Sequence, residues 1–412
     1  MARKVLLNRD MVAFGSDNTA IRNAAARGAE LKKEFGPDAV FDFTIGNPYK
    51  PAPDEVREGF EQALASIPQV PLHGYVMGPG LPSLRQAIAE QLNDYFGGAY
   101  RADDLIITTG ASGAGTLTLR AITNPGEGDE VIVLAPYFMG YDGWIDGAGA
   151  VEVQVRTKPD TFQLDVDAIE AAITPKTRAV IIDSPNNPTG AIYPAEDLRA
   201  LGAMLSRKEE ELGQVIFLIS DEPYRELVLT EGLEVPWVPD FYDDTLVLYS
   251  YSKCLSVPGD RCGWVLVGPK VTGAPEVLAA ISGAVRWNGM SPSSSTVEHA
   301  VEYCVRKRVR LDPTWYVDNR DALYEGLKEL GYDPFLPDGA FYLWLKTPIA
   351  DAGEFAERAV EHHIMVTPGE TFGWPGYVRV TFCCDLDTIR RSMPAWRSLM
   401  EEIRSEAAGA AA

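Results

Sequence analysis

Ala179-Val-Ile-Ile-Asp183-Ser-Pro-Asn-Asn-Pro-Thr-Gly190 decides the fold. A short apolar run rich in β-branched residues ends in an acid and then in a Pro/Asn turn. Such a run reads as a strand buried on both faces, feeding a loop at its carboxyl end. The same grammar recurs on either side. Upstream lie Leu105-Ile-Ile-Thr108, followed by Gly110-Ala-Ser-Gly-Ala-Gly115, and Val131-Ile-Val-Leu134. Downstream, Val215-Ile-Phe-Leu-Ile219 runs into Asp221-Glu-Pro-Tyr224, and Thr245-Leu-Val-Leu-Tyr249 into Ser250-Tyr-Ser-Lys253. Gly263-Trp-Val-Leu-Val267 closes the series, and helical patterns lie between at 116–122, 165–172 and 194–212. This alternation predicts an α/β fold: a large, doubly wound, mostly parallel sheet covered by helices, spanning about 50 to 285.

The ends read differently. Asp17-Asn18-Thr19 offers N-caps for a helix over 20–35 that Gly36-Pro37 stops. Beyond about 290 come helices over 293–311 and 316–330, then Ala340-Phe-Tyr-Leu-Trp-Leu345 and Val378-Arg-Val-Thr-Phe382 as strands. A last helix over 387–407, with Asp387 as N-cap, and a frayed tail from Gly409 complete the reading. The expected organisation is an N-terminal segment (1–48) joining a smaller α+β domain (289–412), with the large domain at 49–288.

The chain has 412 residues, 46% of them hydrophobic, enough for a sizeable core. Lys and Arg number 37 against 59 Asp and Glu, a net charge of −22. That balance argues against a nucleic-acid or anionic-membrane partner, while leaving room for a local anion pocket. Cys254, Cys262, Cys304, Cys383 and Cys384 form no C-x-x-C pair, so a reduced, cytoplasmic setting is expected. The first residues carry too short an apolar run for a signal peptide, and no stretch approaches the roughly 20 apolar residues of a membrane span. The four histidines lack metal-ligand spacing, so no metal is expected; His362-His363 reads as a helix end.

Ligands of open α/β sheets sit beyond the carboxyl ends of the strands, so the residues following each strand are the candidates. The small residues after Leu105–Thr108 can free helix-N-terminal N–H groups for an anion. They match no phosphate loop (the chain has no Gly-Lys pair), no G-x-S-x-G elbow (Ala114 intervenes) and no dinucleotide fingerprint (Thr118 stands where a third Gly is needed). Each remaining signature has an ordinary structural reading as a turn, a helix cap or a solvated lysine. Four of them in succession, however, converge on one rim.

Together these residues resemble the class I and II aminotransferases, pyridoxal-phosphate enzymes of fold type I. S-P-N-N-P-T-G at 184–190, D-E-P-Y at 221–224, S-Y-S-K at 250–253 and Arg261 carry the resemblance. I-G-N-P at 45–48, Tyr75 ten residues before Arg85, A-P-Y-F at 135–138 and V-R-V-T at 378–381 support it. It runs from about Ile45 to the C-terminus.

The resemblance implies pyridoxal 5'-phosphate as cofactor and Lys253 as the residue forming a Schiff base with it, then moving a proton at the substrate Cα. Asp221 would face the pyridine nitrogen, Tyr224 and Asn187 would donate to the phenolic oxygen, and Phe138 would stack on the ring. The phosphate would be held by the backbone of Ala111, Ser112 and Gly113, the hydroxyls of Ser250 and Ser252, and the Arg261 fork. Tyr75 would reach it from a partner subunit, implying a homodimer with shared active sites. Arg379 would grip the substrate α-carboxylate beside Gly46, whose lack of a side chain permits close approach.

Side-chain specificity is thinly encoded. Arg286 is a candidate for a second substrate carboxylate, and Tyr49, Trp287, Asn288 and Trp374 are candidates for pocket walls or for core. The expected activity is amino-group transfer between an amino acid and a 2-oxo acid. Elimination, cyclisation or C–C bond formation by the same cofactor is the alternative, kept open by the unfamiliar string Val285-Arg-Trp-Asn-Gly-Met290. A non-catalytic regulatory domain fits poorly, since no basic helix-turn-helix precedes the fold.

Overall fold

The computed structural model describes residues 6–16 and 20–410. Its strands are β1 (Phe41–Asp42), β2 (Leu105–Thr108), β3 (Glu130–Ala135), β4 (Val151–Arg156), β5 (Thr177–Asp183), β6 (Phe217–Asp221) and β7 (Thr245–Ser250). They continue as β8 (Gly263–Val267), β9 (Asp333–Phe335), β10 (Tyr342–Lys346), β11 (Ile364–Met365), β12 (Thr367–Pro368) and β13 (Tyr377–Thr381). Seven of them form the large sheet in the order β2-β8-β7-β6-β5-β3-β4.

Within it β8 runs antiparallel to both neighbours and all other pairs are parallel. Because β8 reverses direction between β2 and β7, its first residue pairs with the last residue of each, Thr108 and Ser250. A segment entering β8 is therefore delivered to the same rim that β2, β5, β6 and β7 leave. Alternate residues of β5 face opposite apolar layers. Ala179 and Ile181 pack with the helices Gly110–Ile122, Gly140–Ala148 and Ala274–Trp287, while Val180 and Ile182 pack with Val166–Ala172 and Ala195–Leu212. Two buried faces explain why these strands read as continuous apolar runs. The alternation of β4 (Val151-Glu-Val-Gln-Val-Arg156) fits its place at the sheet edge.

The smaller sheet is antiparallel, β12-β13-β10-β9. Phe41 and Phe43 enter its core with Tyr316, Leu323, Phe355 and Trp396, and β1 pairs in parallel with β11. The Phe43 N–H donates to Met365 C=O, and the Thr381 N–H donates to Phe43 C=O. The next residues, Thr44 to Gly46, thus pass from the small sheet toward the rim of the large one.

Several expected boundaries are corrected. The helix expected over 293–311 runs Ser295–Arg306, and the next is Thr314–Glu329. Ser295–Arg306 also packs against Asp54–Ser66 and Pro82–Phe96, placing Val301, Cys304 and Val305 in one cluster with β2 and β8. That helix thus shares a core with the large sheet. The last helix runs Leu386–Ala410, absorbing Gly409, and Asp385 rather than Asp387 accepts the Thr388 N–H at its start. Asp387 instead pairs with Arg391. The helix Ala20–Phe35 is present, but its cap at 17–19 lies outside the described residues. Among the described residues no helix is long and apolar enough to cross a membrane, no cluster of His, Cys, Asp and Glu could hold a metal, and all five cysteines are free.

Candidate active site

One cavity of about 260 Å³ opens at the shared rim. Lys253 lies in the short helix Tyr251–Cys254 that follows β7, where Ser250 caps the turn by accepting the Ser252 N–H. Its Nζ donates to the Gly46 carbonyl at 2.7 Å and sits over the rings of Tyr224 and Phe341. Burial, with Arg379 and Arg261 adding to it against the opposing influence of Cys383, brings its pKa down to about 8. A lysine so placed is about one-tenth neutral amine at pH 7, far more than an ordinary lysine, and so can serve as a nucleophile and base there.

Asp221 ends β6 and is 3% exposed. Tyr141 donates to its Oδ2 at 2.9 Å, and its Oδ1, buried, has no partner. Burial pushes its pKa up to about 7 against the pull of Tyr141. Asp183, at the end of β5, pairs in register with Asp221 and also lines the cavity. Among the described residues no cation forms an ion pair with either acid. A buried acid with a bare oxygen aimed into a cavity suits a cationic ligand atom.

Arg379 projects from β13 of the small sheet. Its Nη1 donates to Asn187 Oδ1 at 2.9 Å and its Nη2 to Thr44 C=O at 2.7 Å, while the buried Nε has no partner. The guanidinium lies over the rings of Tyr342 and Phe372 and, among the described residues, forms no ion pair with an acid. An unpaired buried guanidinium is costly until an anion arrives, so this end of the cavity is built for one.

A second anion cradle occupies the other end. Ser250 and Ser252 hydroxyls lie 2.6 Å apart, and Ala111 and Ser112 begin the helix Gly110–Ile122. Arg261 reaches in from the segment before β8, held by the carbonyls of Pro258 and Thr109. Gly110 is required there: at φ 77° a Cβ would stand 3.1 Å from Arg261 Nη2. Phe138, held edge-on by Tyr141 and Trp144, adds an aromatic wall to the same cavity. Cationic lysine and arginine, a bare acid and an aromatic plate thus fit a flat, cationic, phosphorylated aldehyde.

Twelve expected site residues line this cavity: Gly46, Ala111, Ser112, Phe138, Asn187, Asp221, Tyr224, Ser250, Ser252, Lys253, Arg261 and Arg379. Three do not. Gly113 is buried one turn into its helix, Tyr75 is 90% exposed, and Arg286 is exposed at the end of the helix Ala274–Trp287. Of the wall candidates, Tyr49, Trp287 and Asn288 are exposed away from it, and Trp374 is core beneath Arg156. His362 ends its helix and bonds Glu402.

Sequence reasoning missed Tyr342, whose hydroxyl is 2.6 Å from that of Tyr224, and also Tyr141 and Asp183. Asp183 was within reach, being the residue that ends the deciding strand. Tyr342 comes from a strand of the smaller sheet and Tyr141 from the first turn of the helix Gly140–Ala148, five residues or more beyond a strand end, which no rim argument inspects.

The model of the family described as "Aminotransferase class I and II" matches residues 38–393. An aspartate/prephenate aminotransferase of Thermus thermophilus is 34% identical over 94% of this chain and 97% of its own. An aminotransferase structure from Eubacterium rectale superposes with a TM-score of 0.93 at 41% identity, covering 97% of this chain and 99% of the other. The aspartate aminotransferase of Thermus thermophilus with maleate gives 0.85 at 30% identity, over 96% of this chain and 100% of that one. With two anion cradles, a buried acid and a low-pKa lysine converging in one cavity, this chain belongs to the class I and II aminotransferases, pyridoxal-phosphate enzymes that transfer an amino group between an amino acid and a 2-oxo acid.

Proposed function

We propose that transfer runs through Lys253, with Arg379 holding the substrate α-carboxylate and the Ser250/Ser252/Arg261 cradle holding the cofactor phosphate. The observation that carries this reading is the buried, acid-free guanidinium of Arg379 sharing one cavity with Lys253. When bound, pyridoxal 5'-phosphate supplies an electron sink for the pair released from the substrate Cα–H bond.

The chain's own groups do the rest. Arg379 and Asn187 fix the carboxylate plane and hence the orientation of the Cα–H bond. Lys253 Nζ, held by Gly46 C=O, would take the proton from the substrate Cα and deliver it to the cofactor carbon that carries the amino nitrogen. Asp221 would hold the ring nitrogen as a cation, Tyr224 and Asn187 would offer hydrogen bonds to the ring oxygen, and Phe138 would cover the ring. The N–H groups at Ala111, Ser112 and Gly113 add a helix N-terminus to the phosphate site. Borohydride reduction of the holoenzyme followed by peptide mapping tests the assignment. The expected label is on Lys253; a label on another lysine overturns it.

The working unit in this reading is a homodimer, with Tyr75 of each chain completing the partner's phosphate site. Support comes from Val70, Tyr75, Met77 and Trp287, large apolar side chains left exposed. Arg286 is assigned to the side-chain carboxylate of an acidic substrate in the partner's site; the relatives named for aspartate support that substrate class. We place the enzyme in the cytoplasm, consistent with five free thiols. We divide it into a large domain around the seven-stranded sheet and a small domain that the 41–46 segment joins.

A further inference from the structure

We infer that Asp183 and Asp221 work as one acidic pair, sharing a proton until a cation enters the cavity. Asp183 is thereby a positioning residue for the cofactor's ring nitrogen, acting through Asp221. The inference rests on the reading of the cavity as the cofactor site.

Asp183 and Asp221 are the final residues of adjacent parallel strands, and in register, so their side chains leave the sheet on the same face. They are 4% and 3% exposed, and each keeps a buried Oδ1 with no partner. The other oxygens are taken: Asp183 Oδ2 accepts the Asn187 N–H at 2.8 Å, and Asp221 Oδ2 accepts from Tyr141. Around the pair stand Tyr141, Tyr193, Tyr224 and Tyr342, all held protonated by burial, with Glu222 beyond Asp221. Arg379 connects to Asp183 through Asn187, and Lys253 and Arg261 line the same cavity without an ion pair to either acid.

Two such acids, buried side by side with no cation in ion-pair contact among the described residues, strongly resist a second ionisation. Burial first, and then Asp221, hold the Asp183 carboxyl well above the usual range. One proton on the pair relieves the repulsion, and a cation seated against Asp221 replaces that proton. The sign follows: the second acid makes cation binding more strongly dependent on pH, rising as the pair sheds its proton.

The test uses pyridoxamine 5'-phosphate, which binds without condensing with Lys253, on apo-enzyme between pH 6 and 8. Asp183→Asn keeps an oxygen for the Asn187 N–H and removes only the charge. The ratio of wild-type to variant affinity should rise with pH, by up to roughly tenfold per unit for one proton. Asp221→Asn should flatten the profile in the same way, which keeps the test decisive if Asp183→Asn folds poorly. Asp183→Ala adds loss of the Asn187 contact and should raise KM for the amino acid as well. Profiles that superimpose after correction for a constant offset overturn the pair. If wild-type enzyme fails to bind the probe at all, the cofactor site itself is misread.

Discussion

Gly46 faces the Tyr342 ring so closely that a Cβ would lie 2.9 Å from Tyr342 Cζ and Cε1 and overlap its hydroxyl. The same glycine offers its carbonyl to Lys253 Nζ. One residue without a side chain therefore sets both the lysine and the Tyr342–Tyr224 hydroxyl pair, joining the small domain to the sheet rim.

Gly46→Ala should displace Tyr342 from Tyr224 and the Gly46 carbonyl from Lys253. A shift near 1 Å at reacting groups costs on the order of 100-fold, so kcat/KM should fall about that far while the fold holds. Steady-state kinetics beside a thermal melt check it. Loss of stability without loss of kcat/KM in the folded fraction would contradict the assignment.

The rim residues were legible because strand ends are written in local sequence: Asp221, Lys253 and Asn187 each fall two to five residues after an apolar run. The sheet order was not legible, since nothing local shows that β8 reverses and delivers Arg261 beside Gly110. Tyr342 and the partner of the helix Ser295–Arg306 were hidden for the same reason. Their positions depend on contacts far along the chain, as does the packing of Val301 on β2 and β8. Tyr75 and Arg286 were read as site residues from resemblance, and within one chain neither approaches the cavity.

Uptake of pyridoxal 5'-phosphate by apo-enzyme should report the Lys253 amine. Its pKa of about 8 means that below pH 8 each unit lowers the neutral fraction about tenfold. Log rate should therefore climb with pH and level off above 8, whereas an unperturbed lysine would keep climbing past 10. Lys253→Ala should take up cofactor non-covalently and show no turnover. A plateau delayed beyond pH 10 would show that burial does not tune this amine.

Tyr75 tests the assembly. If each site borrows a tyrosine from the partner, a hybrid of Lys253→Ala and Tyr75→Phe chains contains one site with both defects and one with neither. Such hybrids should regain up to half of wild-type activity per dimer, measured after mixing differently tagged chains. Should Tyr75→Phe weaken cofactor retention in a species that sediments as a monomer, the shared-site reading is wrong.

Arg379 separates recognition from chemistry. Its two terminal nitrogens are spent on Asn187 and Thr44, and only Nε is bare, so an incoming carboxylate must compete for the fork as well as use Nε. Lysine cannot reproduce that geometry, because an ammonium is a point donor where a planar fork is needed. Losing a buried, charge-assisted bidentate contact costs about 3 kcal/mol, or on the order of 100-fold, and should appear mainly in KM for the amino acid. Arg379→Lys should therefore retain cofactor, raise KM for both amino acid and 2-oxo acid, and leave the Lys253 uptake profile nearly in place. The profile stays because lysine keeps the positive charge at 379 that helps to hold the Lys253 amine down. Equal losses in cofactor affinity and substrate KM would instead mark Arg379 as a structural strut between β13 and the 44–46 segment.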